Sequence, residues 1–99
     1  MLPIQFGTET IFVPEITYAE YEDFLDTFKS DDNYHWLKER LDLMARYAVR
    51  QDGSKRFVDR SEMTSLPAKS TLKAALAFYL AFRDLNLVTQ EEIDEMQKN

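Results

Sequence analysis

A chain of 99 residues with 44% hydrophobic and 13% aromatic side chains is too apolar to stay disordered, and its two glycines are too few for an all-β sandwich. The expected fold class is α+β, mostly α, in a single domain over residues 1–99. With no cysteine there is no disulfide, thiol nucleophile or Cys-rich zinc site, and a net charge of -6 argues against a general polyanion binder.

In chain order, residues 4–6 and 10–13 are short β-branched and aromatic runs around Gly7, which predicts a hairpin ended by Pro14. Thr17 and Glu20 have capping-box spacing, so a helix is predicted from Tyr18, with Tyr18, Tyr21, Phe24, Leu25 and Phe28 on one face and Glu20, Glu22, Asp23 and Asp26 on the other. Residues 30–33 form a polar break and should cap a second helix running to about Arg50. Its main face holds Leu37, Leu41, Met44, Ala45 and Ala48, and Trp36, Leu43 and Tyr47 make a separate ridge. Asp52-Gly53 predicts a turn, and Asp59 with Glu62 a short helix ending before Pro67. A long apolar helix follows, with Ser70 or Thr71 as candidates to cap or interrupt its start and Asn86 at its end. Thr89 and Glu92 predict a terminal helix over residues 90–98, whose Ile93 and Met96 are placed to dock on the core. The sum is a short N-terminal β-hairpin packed on a small helical bundle of three longer helices and one or two short ones.

Residues 74–82 are nine apolar side chains in a row. At 100° per residue the leucines Leu72, Leu76 and Leu80 lie on one arc, and Phe78, Tyr79, Phe82 and Leu85 on another, spanning roughly 240° together. A one-sided surface helix needs only about 100° or more. A small domain has few elements to cover both arcs, so a partner or a second copy is expected to cover one. The aromatic arc (Phe78, Tyr79, Phe82) and the ridge Trp36, Leu43 and Tyr47 are the candidate partner-binding residues, with Leu76 set in the core, while the pattern itself leaves open which of the two arcs faces inward. Residues 1–32, 33–73 and 74–99 carry net charges of -7, +4 and -3, which fits either solvated faces paired within the fold or head-to-tail contact between copies. Residues 15–32 are the expected acidic counterpart of the basic stretch 46–60.

Catalytic chemistry finds little to build on. His35 is the single histidine, so a metal site would need carboxylates that no local motif supplies. The carboxylates Glu20, Glu22, Asp23 and Asp26 share an exposed helical face, where nothing excludes water. Asp31-Asp32-Asn33 and Asp52-Gly53-Ser54 lack the alternating ligands of a calcium loop. No catalytic residue, metal or cofactor is expected, and no enzyme. Arg46, Arg50, Lys55, Arg56 and Arg60 surround Tyr47 and Phe57, a weak nucleic-acid patch offset by Asp52 and Asp59, so no nucleic-acid partner is expected. The amino terminus lacks a signal-peptide pattern and the apolar run is too short to span a bilayer, which predicts a soluble, intracellular protein without membrane contact.

The chain resembles the tail assembly chaperones of long-tailed bacteriophages. The resemblance lies in the order of its segments: a strand pair over residues 4–13, then Glu15-Ile16-Thr17-Tyr18-Ala19-Glu20-Tyr21 leading into an amphipathic helix. Tyr47-Ala48-Val49-Arg50-Gln51-Asp52-Gly53, Phe57, the acidic start at 59–62, a long helix over residues 72–87 and the acidic end Thr89-Gln90-Glu91-Glu92 follow. Lys55, Arg56 and Arg60 depart from it, standing where acids would be expected. The resemblance implies a non-enzymatic protein of the host cytoplasm that binds the tape measure protein and helps recruit the major tail protein, the tail tube subunit. It also implies a longer form made by ribosomal frameshifting, while the expected homo-oligomer follows from the split apolar faces of the helices. The first rival class is a small acidic regulatory or inhibitor protein that binds a basic protein target, and the second a small hydrolase or metal-dependent enzyme using the carboxylates.

Overall fold

The computed structural model describes residues 1–28 and 35–98, without the side chains of His35 and Trp36. The predicted polar break at 30–33 lies outside the described residues. Strands β1 (Leu2–Phe6) and β2 (Glu9–Val13) pair antiparallel with Phe6 opposite Glu9. The loop is therefore only Gly7 and Thr8, and the positive φ of Gly7 (62°) supplies the left-handed residue that opens a type II′ turn. Glu9, expected in the loop, belongs to the strand. Ile11 and Val13 alternate inward from β2, as strand geometry requires, and both are fully buried.

Helix α1 (Tyr18–Thr27) starts on a complete capping box: the Glu20 amide donates to Thr17 Oγ1 and the Thr17 amide to Glu20 Oε1, both at 3.2 Å. Helix α2 (His35–Tyr47) stops three residues short of the predicted end. Past Tyr47 the backbone exchanges helical bonding for a bridge to β2, with Phe12 N donating to Val49 O at 2.9 Å and Val49 N to Phe12 O at 3.1 Å. The chain then reverses through Asp52-Gly53 as predicted. Gly53 has φ 87°, and the Asp52 carboxylate accepts from Ser54 N at 2.9 Å and Ser54 Oγ at 2.6 Å, which holds its pKa below the ordinary value.

A 3₁₀ turn (Arg60–Met63) is capped by Asp59, which accepts from the Ser61 amide at 2.8 Å and from the Ser61 hydroxyl. Helix α3 (Ala68–Asn86) begins directly after Pro67, so Ser70 and Thr71 lie inside it and neither caps nor interrupts it. Helix α4 (Gln90–Gln97) is capped by Thr89, whose Oγ1 accepts from the Glu92 amide at 3.2 Å.

The core forms where α2 and α3 pack together and the hairpin lies against α3. The Phe82 ring sits 5.1 Å from Tyr47 and 5.4 Å from Phe24, joining α1, α2 and α3 through one aromatic cluster. Phe6 meets Phe57 edge to face at 5.4 Å and closes the hairpin end. Both apolar sides of α2 are used: Leu43 and Tyr47 are buried along with Met44, Ala45 and Ala48.

This packing reverses the expected roles of the two arcs of α3. Phe78 and Phe82 are 0% exposed, whereas Leu76 is half-buried and Leu80 is 41% exposed. The aromatic arc is core. Its rings offer more area to bury, and the buried Thr71 and Ala75 on the same side are small enough for neighbouring elements to approach closely. The leucine arc shares its side of the helix with exposed Lys69, Lys73 and Asp84, whose charges need water. Nor does α4 dock as expected: none of its residues is buried, and Met96 is 73% exposed.

Candidate functional site

Of the six candidate partner-binding residues, Leu43, Tyr47, Phe78 and Phe82 are buried in the chain's own core and offer nothing to a partner. Burial also raises the Tyr47 phenol pKa, through loss of water around the charged form. Tyr79 is half-buried beneath the Arg40 guanidinium, which stands 3.5 Å from its ring centroid, so an intrachain cation–π contact covers it. The Trp36 side chain lies outside the described residues.

Exposed apolar side chains gather elsewhere. Phe24 alone of α1 is fully buried, since it turns toward Phe82, while Tyr21 and Phe28 pack partly against the core and Tyr18 and Leu25 are exposed. Tyr18 is 73% exposed, Leu25 is also exposed, and Tyr21 is half-buried between them along the same helical face. Beyond α3, Val88 is 60% exposed. A cleft of about 340 Å³ lies between these pieces, lined by Ile16, Thr17, Tyr18, Tyr21, Asn86 and Val88.

Two hydrogen bonds hold that cleft's shape. The Asn86 side chain accepts from Ile16 N at 2.9 Å and donates to Pro14 O at 3.1 Å, fastening the segment before α1 to the end of α3. Sequence reading placed Asn86 only as a helix end. Its contacts lie about 70 residues away and leave no local trace. The acidic face of α1, with Glu20, Glu22, Asp23 and Asp26 all exposed, borders the apolar strip. The apolar strip of α1 therefore runs beside an acidic side of the same helix, nearest at Glu22 and Asp26, a combination that suits an apolar segment bearing basic flanks.

The basic stretch is paired differently from expectation. Arg56 forms a bidentate ion pair with Glu9 at 2.8 and 2.6 Å and reaches Glu62 at 3.6 Å, while Arg60 meets Asp42 at 3.4 Å. Among the described residues the acids come from β2, α2 and the 3₁₀ turn, and from residues 15–32 only the Thr27 hydroxyl reaches the stretch, accepting from Arg46 at 3.4 Å. The hydrogen bonds from Arg56 hold the Glu9 pKa below its ordinary value. Among the described residues no group of His, Cys, Asp or Glu is arranged to hold a metal ion, and no helix is long and apolar enough to cross a membrane. Comparison of the chain with family models, curated proteins and solved structures gave no match.

Proposed function

We propose that the protein is a non-enzymatic assembly chaperone of the kind that long-tailed bacteriophages use, acting in the host cytoplasm. In this reading it binds the tape measure protein, keeps an apolar helical stretch of it soluble, helps recruit the major tail protein and self-associates. The carrying observation is the exposed strip Tyr18, Leu25 and Val88 beside the cleft, an apolar surface that none of the described elements covers. The acidic side of α1 beside it is suited to keeping a loaded complex soluble. An amphipathic helix laid into such a groove would anchor through residues spaced three and four apart.

The test is calorimetric binding of apolar helical segments of a tape measure protein. Tyr18→Ala combined with Val88→Asp should weaken that binding by about tenfold or more, since loss of an aromatic anchor commonly costs upward of 1 kcal/mol. Circular dichroism should remain unchanged, because both side chains are largely solvent-exposed. Binding of the variant at unchanged affinity would remove this surface from the account. Salt-sensitive binding to a basic protein, with no affinity for any apolar helical segment, would favour the inhibitor class instead.

A further inference from the structure

The hairpin leaves one strand edge without a partner. Strand β2 is bonded on one side to β1 along its length and on the other, at Phe12, to Val49. Strand β1 is paired on one side only, and among the described residues no backbone bridges its other edge. An open edge is a template on which an extended chain, a second copy included, can add a strand.

The Phe12 bonds fix which backbone groups that edge offers. Within a strand the N–H and C=O of one residue point to the same side, and the side alternates from residue to residue. Phe12 turns both groups to Val49, so Ile11 and Val13 direct theirs at β1, where they stand opposite Ile4 and Leu2. Leu2, Ile4 and Phe6 therefore hold the hairpin, and Pro3 and Gln5 turn their groups outward. Proline has no N–H, and at an outward position its absence costs the hairpin no bond. Within the strand, the outer edge keeps the Gln5 N–H as its one donor.

No other feature closes this edge. The register runs from Leu2 to Phe6 without a bulge, residues 1–8 contain no charged side chain, and Leu2, Ile4 and Phe6 supply the apolar alternation on which strands pair. We infer that Pro3 guards the edge: by removing an outward donor it keeps copies of the chain from joining through β1, so self-association runs through side-chain surfaces and not through a shared sheet. This role is independent of the client, and it holds whether or not the chain associates elsewhere.

Restoring the donor tests the guard. Pro3→Val returns the N–H and places a β-branched side chain at an exposed position that makes no hairpin bond. At equal high concentration its sedimentation mass should reach about twice that of the wild type or more. Its amides at positions 3 and 5 should become protected from hydrogen exchange by about tenfold or more as concentration rises. In the wild type the Gln5 amide should exchange freely at every concentration. Adding Gln5→Pro to Pro3→Val moves the proline to the other outward position, at the loss of an exposed side-chain bond from Gln5 to Gly7 O. That double variant keeps the valine and should return to the wild-type mass. At dilution both variants should keep the wild-type circular dichroism, because neither outward N–H belongs to the hairpin ladder. A Pro3→Val chain that sediments like the wild type, with its Gln5 amide unprotected, would overturn the inference. So would a wild type whose Gln5 amide is protected by association, or a double variant that associates as strongly as Pro3→Val, which would assign the effect to the valine side chain. Loss of the fold at dilution in either variant would contradict the outward assignment of positions 3 and 5.

Discussion

Both sides of α3 are strongly apolar, and they have opposite fates. Phe82 meets Phe24 of α1 and Tyr47 of α2, Phe78 belongs to the same core, and both lose all contact with water, while Leu80, two residues from each, keeps much of its surface wet. The difference lies in the neighbours. Thr71 and Ala75 on the aromatic side let other backbones approach, whereas Lys69, Lys73 and Asp84 on the leucine side hold that face in solvent. Hydrophobic content thus does not choose a core face by itself; the smallest and the most charged residues around the helix decide it.

The sharpest way to break this comparison is to truncate the aromatic side. Phe82→Ala removes the ring shared by Phe24 and Tyr47 and should cost about 3–5 kcal/mol in urea unfolding, the usual range for a buried Phe. A smaller loss is expected at the border between the two sides. Asn86→Ala deletes both bonds to the segment before α1 and should cost roughly 1–3 kcal/mol, with faster hydrogen exchange at the Ile16 amide. Unchanged exchange there would mean that packing alone positions the cleft.

The smallest effect belongs to the polar periphery. Glu9→Gln breaks the pair with Arg56, both partners being partly solvated, and should cost no more than about 1 kcal/mol at neutral pH. The pH dependence has a definite sign. Because the folded-state pKa of Glu9 is lowered, its contribution is fully present above the ordinary glutamate value of about 4.3 and disappears as pH falls through the lower folded value. Wild type and Glu9→Gln should therefore differ in stability at pH 7 and converge in acid. A difference that persisted at the acid end would assign the cost to lost packing.

Local signals were legible in the sequence. The capping pairs Thr17 with Glu20 and Thr89 with Glu92, and the reversal at Asp52-Gly53, are decided by neighbours within a few residues, and the fold repeats them. Non-local choices were not. The Glu9 to Arg56 pair spans 47 positions and the Asn86 bonds 70 and 72, and no periodicity encodes them. The mistaken assignment of the α3 arcs is a different failure, because its correction was visible: Lys69, Lys73 and Asp84 all fall on the leucine side of the helical wheel. For α1 the wheel showed one apolar face and could not show that Phe24 alone would be buried, with Tyr21 and Phe28 partly covered and Tyr18 and Leu25 left exposed. The candidate surface consists of what the rest of that face leaves exposed.

The central claim is that the aromatic side of α3 is core and the leucine side an outer face. Unfolding by urea, combined with sedimentation, of Phe82→Ala and Leu80→Ala tests it most directly. The account predicts that Phe82→Ala loses about 3–5 kcal/mol. It also predicts that Leu80→Ala stays within about 1 kcal/mol of wild type. A stable Phe82→Ala that fails to associate, beside a Leu80→Ala that unfolds several kcal/mol more easily, would contradict it.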